Sequence, residues 1–342
     1  MRDVAAAVGV SSMTVSNVLT GRRRVSAETR RRVLAEVQRS GYQVNVAARS
    51  LRQGRTGVVG LAVHELDSHY FAMLAAAVVA RLSREGLRVV VEQTGASREG
   101  ELAAITDSRA NAYDGLILSA SDLGPADVAA LVGDLPVVML GERQDLERFD
   151  HVEMANADGA EAAARLLLEQ GCRRLAAIGM PPPDRGQDPS GGRDDAFLLR
   201  ARGVARAVAA HPGARVVPVE TTSTRLAAGA ALVGEALRLQ PDTDGFVCAT
   251  DTLALGVLRG LADRGLRVPG DALVVGFDDV PDAAFSNPSL STVAPGHEEM
   301  VEATARLLLR RMADRDAPPE RVVADFTLVR RESTGHAPSP LR

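Results

Sequence analysis

From Gly57 onward the chain repeats one pattern, a short apolar run followed by a longer stretch with helical spacing. The first runs are GVVGLAV (57–63), LRVVVEQ (87–93), DGLILS (114–119) and PVVML (136–140). A second set follows: RRLAAIG (173–179), ARVVPVE (214–220), GFVCAT (245–250), ALVVGFDD (272–279), LSTV (290–293) and VVADFTLV (322–329). These runs are apolar throughout rather than alternating, so both faces of each strand are buried. Buried strands separated by helices form a parallel sheet covered on both sides. Helices are expected at about 69–85, 98–110, 158–170, 196–210, 225–239, 252–264 and 296–314, with a short one after Pro125. A chain of 342 residues exceeds one ordinary core. The pattern predicts two doubly wound parallel-sheet lobes over 57–330. One spans about 57–155 with 294–320, the other about 156–290 with 321–330, and 331–342 is a flexible tail.

The first 56 residues read differently. VAAAVGVSSMTVSNVL (4–19) is a short helix, a turn at Gly9 and a second short helix. Val15, Val18 and Leu19 make one apolar stripe, while Ser12, Met13, Ser16 and Asn17 lie opposite. A helix that buries one face and shows short polar groups on the other fits a major groove. Ser26 caps a third helix, with Val33, Leu34 and Val37 expected as its core stripe and Arg30, Arg31 and Arg32 mostly facing out. Residues 1–43 are thus an all-α helix-turn-helix headpiece, and 44–56 a hinge helix and linker. Charge is segregated the same way. Residues 1–55 carry eleven arginines against Asp3, Glu28 and Glu36, a net of +8, leaving −12 on the rest to reach −4. A basic headpiece on an acidic body fits nucleic acid, and the loop Arg22, Arg23, Arg24 beside the groove helix fits phosphate contact. Helix one lacks a Ser or Thr cap ahead of it, which predicts a natural start a few residues upstream. Asn45 to Arg52 is too short for a stable isolated helix. It is either a frayed linker or a segment that becomes helical on DNA, with Leu51 available to wedge between base steps.

Other classes lack their signatures. Cys172 and Cys248 sit in apolar runs and are expected as buried free thiols rather than a framework or metal site. There is neither a signal-peptide pattern nor an apolar run of membrane-spanning length, so no membrane partner and a cytoplasmic location are expected. The six histidines show no metal spacing, and neither a GxSxG elbow nor a P-loop occurs. No catalytic residue, metal or cofactor is therefore assigned.

DVAAAVGVSSMTVSNVLTGRRRVSAETRRRVLAEVQRSGYQVNVAARSL, followed directly by GVVGLAV, resembles the LacI-type family of bacterial transcription regulators. YDGLILS, GVARAV, ATDTLALGVLRGL, VVGFDD and LSTV extend the resemblance over essentially the whole chain. It implies a periplasmic-binding-protein-like core and roles for single residues. Ser12 and Met13, with Asn17 on the same face, would read base edges. Met13 would do so only by apolar contact. Thr14, Ser16 and Arg22 to Arg24 would contact phosphates. Asn45 to Leu51, including Ala48, matches the hinge helix, although Val44 stands where the family commonly has a proline.

An effector is expected between the lobes, at the carboxyl ends of the strands. Tyr70 and Phe71 follow the first strand and serve either to stack on a ligand or as core. Ser119 ends the third strand. Thr250 and Asp251 follow GFVCAT, and Asp251 reads as a helix N-cap more readily than as a ligand contact. The resemblance places a ligand-binding arginine at Arg200 and a ligand-binding aspartate at Asp278, a pair suited to vicinal hydroxyls. Asp279 reads as a loop carboxylate, and the segment between Met180 and Asp195 as a mobile loop at the mouth. Glu142 and Arg143 are weaker candidates at a strand end. The resulting expectation is a repressor that binds a pseudo-palindromic double-stranded operator as a homodimer, its lobes meeting through helices near 70–84 and 252–264. A small-molecule effector, a sugar or sugar derivative, would control it. The alternatives are a cytoplasmic solute-binding module without DNA regulation, or a sugar-processing α/β enzyme.

Overall fold

The computed structural model describes residues 1–20, 24–42, 54–121, 123–141, 149–185 and 195–335. Its contacts divide the chain into two compact units, Met1–Thr56 and Gly57–Arg342.

The first unit holds three helices, α1 (Arg2–Val8), α2 (Ser12–Thr20) and α3 (Ala27–Ser40). Ser11 caps α2 by accepting from the Thr14 amide at 3.1 Å, and Ser26 caps α3 by accepting from Thr29 at 3.2 Å. Val4, Ala5, Val8, Val15, Val18 and Val33 form the buried core. One detail departs from the sequence reading. Leu34 is exposed, at 44%, because the bundle is too small to cover more than one position per turn of α3. Arg30, Arg31 and Arg32 are exposed, as expected, and Arg32 also reaches α1. Its Nη2 donates to the Val8 carbonyl at 2.7 Å and satisfies the end of α1.

The second unit contains two six-stranded sheets. The first lobe has β1 (Val58–Val63), α4 (His69–Ser83), β2 (Arg88–Gln93), α5 (Arg98–Ala110), β3 (Gly115–Ser119), α6 (Pro125–Val132), β4 (Val137–Leu140) and β5 (Asp150–Met154). The second has α7 (Asn156–Glu169), β6 (Arg174–Ile178), α8 (Ala196–Ala209), β7 (Arg215–Val219), α9 (Leu226–Leu239), β8 (Gly245–Cys248), α10 (Asp251–Ala262), β9 (Leu273–Phe277), α11 (Pro281–Phe285) and β10 (Ser291–Ala294). The chain then returns to the first lobe with α12 (His297–Ala313) and β11 (Arg321–Ala324), and enters the second again with β12 (Thr327–Val329). The expected flexible tail does not begin at 331, because a 3-10 turn over Glu332–Thr334 buries Ser333 and Thr334, and Ser333 Oγ donates to the Val274 carbonyl at 2.6 Å. The strand orders are β11-β5-β4-β3-β1-β2 and β12-β10-β9-β8-β6-β7. Every pairing is parallel except β10 with β12. Central strands are buried on both faces, as their apolar runs require. Leu61 of β1, for example, is fully buried between Val91 and Ile117.

The expected single strand 322–329 is instead two strands, divided at Asp325 and Phe326 and entering different sheets. Its first half therefore belongs to the first lobe rather than the second. β5, reading DHVEM, carries no apolar run and was not expected, yet all five residues are buried. Its charges are paired. Asp150 accepts from Arg310 at 2.5 Å and from Arg311 at 2.9 Å, both on α12, and Glu153 accepts from Arg321 on β11.

The chain passes between lobes three times, at Ala155, at Pro295–Gly296 and at Asp325–Phe326. Two crossings touch. A Cβ added to Gly296, which has φ +72°, would lie 2.4 Å from the Asp325 carbonyl oxygen. The Asp325 amide donates to Glu299 at 3.0 Å.

Candidate ligand cleft and nucleic-acid face

In each sheet the strand order reverses beside the first strand, between β1 and β3 and between β6 and β8. Loops leave in opposite directions at such a point and open a crevice at the carboxyl ends of the strands. The two crevices face one cavity of about 930 Å³. Its walls include His64, Tyr70, Phe71 and Ser119 from the first lobe and Phe197, Arg200, Thr250 and Asp278 from the second. Six of the seven expected effector residues thus come together.

The floor is built around Arg200. It is buried, and its guanidinium lies over the Phe277 ring with Cζ 3.6 Å from the centroid. Nε donates to Asn156 Oδ1 at 2.7 Å, Nη1 to the Ala249 carbonyl, and Nη2 sits 3.6 Å from Asp278 Oδ1. α8, the first interlobe crossing and the ends of β8 and β9 therefore meet on one side chain. Asp278 has φ 115°, a backbone region a non-glycine residue rarely adopts. Its amide donates to Val293 at 2.9 Å, and its carbonyl accepts from His297 Nε2 at 2.5 Å. Those two bonds fix the turn that aims the carboxylate inward.

The first-lobe wall is aromatic. Tyr70 and Phe71 pack edge to face at 5.0 Å, His64 lies 4.9 Å from Phe71, and His297 lies 5.4 Å from Tyr70. Burial pushes the pKa of both histidines below the usual imidazole value. His64 Nε2 meets Ser119 Oγ at 3.2 Å. The loop after β3 is pinned by buried Glu101, which accepts from the Ser121 amide at 2.8 Å and from the Leu123 amide at 2.9 Å.

One ion pair and one imidazole–carboxylate contact bridge the lobes at the mouth. Arg225 Nη1 is 2.7 Å from Asp67, and His69 Nε2 is 3.8 Å from Asp282. His69 and Arg225, with Phe197 and Thr252, line the cleft without having been singled out from sequence. His64 and His69 follow a strand end, which is the signal that could have found them.

Asp251 is the correction. It is fully buried and does not line the cleft. Oδ1 accepts from Thr292 Oγ1 at 2.5 Å and Oδ2 from the Val280 amide at 2.9 Å, so it ties α10 to the loop after β9. Burial and neighbouring Asp278 push its carboxyl well above the usual range. Gly276 makes room for it, since a Cβ there would lie 2.1 Å from Asp251 Oδ1. The helix cap is Thr250, whose Oγ1 accepts from Leu253 at 3.2 Å. Asp279 pairs with Arg331 at 2.7 Å. Glu142, Arg143 and residues 186–194 lie outside the described residues.

In the first unit, α2 exposes Met13 at 69%, with Ser12, Thr14, Ser16 and Asn17 half-buried beside it. Thr14 Oγ1 is 2.9 Å from Ser11 Oγ. Arg24 is exposed, whereas Arg22, Arg23, Asn45, Ala48 and Leu51 lie outside the described residues. Among the described residues, no helix is long and apolar enough to cross a membrane, and no group of His, Cys, Asp and Glu side chains could hold a metal ion.

Comparison with known proteins accounts for both units. Residues 1–45 match the lacI family of bacterial regulatory proteins, and residues 164–334 match the periplasmic binding protein-like domain. The ribose operon repressor of Halalkalibacterium halodurans is 30% identical, over 98% of this chain and 96% of its own length. A solved structure of a LacI-family transcriptional regulator from Sanguibacter keddieii is 38% identical, with TM-score 0.73, over 83% of this chain and all of that one. A CelR–cellobiose complex is 29% identical, with TM-score 0.69, over 96% and 98%. The chain belongs to the lacI family of bacterial regulatory proteins and is a DNA-binding transcriptional regulator with a ligand-binding, periplasmic-binding-protein-like second unit.

Proposed function

We propose that the cleft holds a sugar and that its occupancy sets the affinity of the headpiece for an operator, which the protein represses as a homodimer. The observation that carries this reading is the Arg200–Asp278 pair, buried over Phe277 on the cleft floor. A guanidinium and a carboxylate side by side donate to and accept from adjacent hydroxyls, and the pair neutralises itself when the site is empty. Tyr70 and Phe71 supply apolar faces, while Ser119 and Thr250 supply hydroxyls. Asp251 takes no part. The names of the ribose operon repressor and the CelR–cellobiose complex support the sugar class.

In the headpiece, Ser12, Met13 and Asn17 read bases. Thr14, Ser16 and Arg22 to Arg24 hold phosphates, and Asn45, Ala48 and Leu51 act at the hinge. The effector acts by binding one lobe arrangement more tightly than another, and so changes how two headpieces span the two half-sites of an operator. The role needs no catalysis and places the protein in the cytoplasm.

The test is selection of genomic fragments by the full-length chain, followed by fluorescence anisotropy on the enriched duplex with and without a sugar panel. A preferred palindromic duplex whose affinity shifts at least tenfold with one sugar is expected. Absence of any preferred duplex under every ligand condition overturns the proposal.

A further inference from the structure

The charges around the cleft do not make an anion site. Among the described residues, its lining carries Glu65, Asp67, Asp195 and Asp278 against Arg200 and Arg225. Each arginine already faces a carboxylate, Arg200 with Asp278 at 3.6 Å and Arg225 with Asp67 at 2.7 Å. A phosphate or carboxylate entering here meets, among the described residues, more carboxylates than guanidiniums and must compete for either of the latter. Desolvating an anion without a dedicated cation is strongly unfavourable. Hydroxyl groups face no such penalty. Ser119, Ser121, Thr222, Ser223, Thr250 and Thr252 line the same cavity with groups that both donate and accept.

Size narrows the class further. The cavity, about 930 Å³, lies near the top of the range of roughly 300–1,000 Å³ for small-molecule sites. One sugar ring on the Arg200–Asp278 floor would leave most of it to water, including the part lined by Thr222, Ser223 and Arg225 at the mouth. A longer ligand reaches both ends.

We infer that the effector is an uncharged saccharide of at least two rings, and that phosphorylated and acidic sugars are rejected. The inference rests on the reading of this cleft as the effector site.

Isothermal titration calorimetry on the full-length chain tests it, with trehalose, maltose, cellobiose and sucrose set against glucose, ribose, glucose 6-phosphate, trehalose 6-phosphate and hypoxanthine. The expected result is one neutral disaccharide that binds at least tenfold more tightly than either single sugar and at least a hundredfold more tightly than either phosphate ester. A phosphate ester, a single ring or hypoxanthine that binds as tightly as the best neutral disaccharide overturns the inference, as does a panel in which no neutral disaccharide binds. Operator anisotropy separates the two readings. A phosphate ester that binds and moves operator affinity removes the ligand class and keeps the effector site. A disaccharide that binds without moving operator affinity keeps the ligand class and removes the effector role.

Discussion

Asp251 and Asp278 look alike in the sequence, since each follows an apolar strand. Their fates diverge because of neighbours that the local sequence does not show. Thr292 and the Val280 amide consume both oxygens of Asp251, while the turn at Asp278 aims its carboxylate at Arg200. Strand-end position alone therefore found the cleft but could not sort its carboxylates. Arg200 was legible only through the family resemblance, because an arginine inside a helix says nothing about what it faces. Replacing Arg200 with Met removes the guanidinium beside buried Asp278, along with its bonds to Asn156 and the Ala249 carbonyl. That change is expected to lower core stability by about 3–5 kcal/mol in urea unfolding and to remove measurable effector binding. Gly276→Ala pushes a methyl group into Asp251 and is expected to cost about 1–3 kcal/mol without adding or removing any cleft group. A neutral result for Gly276→Ala would mean that Asp251 can move aside freely.

At the scale of elements, apolar runs located most strands, and β5 escaped because it satisfies burial by charge pairing instead. DHVEM reads as surface until Arg310, Arg311 and Arg321 are seen against it, and those residues lie more than 150 positions away. Asp150→Ala takes the carboxylate from mostly buried Arg311, while Arg310 keeps Glu320 at 2.8 Å, and it is expected to cost about 3 kcal/mol in urea unfolding. Two histidines mark the end of β1 and the start of α12. Burial lowers the pKa of His64 and His297 in the folded state, so between the folded values and about 6.5 the unfolded chain binds more protons. Their contribution is present above about pH 6.5 and is lost as pH falls through the folded values. Thermal melts from about pH 7.5 to about pH 5.5 should show a falling Tm, with a shallower slope in His297→Gln. An unchanged slope would place the titration elsewhere.

At the scale of the whole molecule, the division into a basic headpiece and an acidic body was legible from charge alone, as were two α/β lobes from the repeating pattern. The division of 322–329 between the sheets was not, because Asp325 and Phe326 interrupt the run without a Gly or Pro. Charge segregation makes operator affinity steep in salt. With six or more phosphate contacts, it should fall by on the order of 10³-fold from about 50 to about 200 mM, and a flat response would remove the arginines from the interface. The Asp67–Arg225 pair at the mouth is more than half exposed and worth at most about 1 kcal/mol, so Asp67→Asn should speed effector release by no more than about fivefold. The interlobe crossings matter more. Three adjacent backbone ribbons resist shear yet permit bending, much as a bound spine lets covers open but not slide. With Gly296 held against the Asp325 carbonyl, there is no slack at the spine for a side chain. Even the smallest one would force the two crossings apart, so Gly296→Ala is expected to blunt the change in operator affinity on adding ligand, and an undiminished change in anisotropy would show that the crossings give way freely.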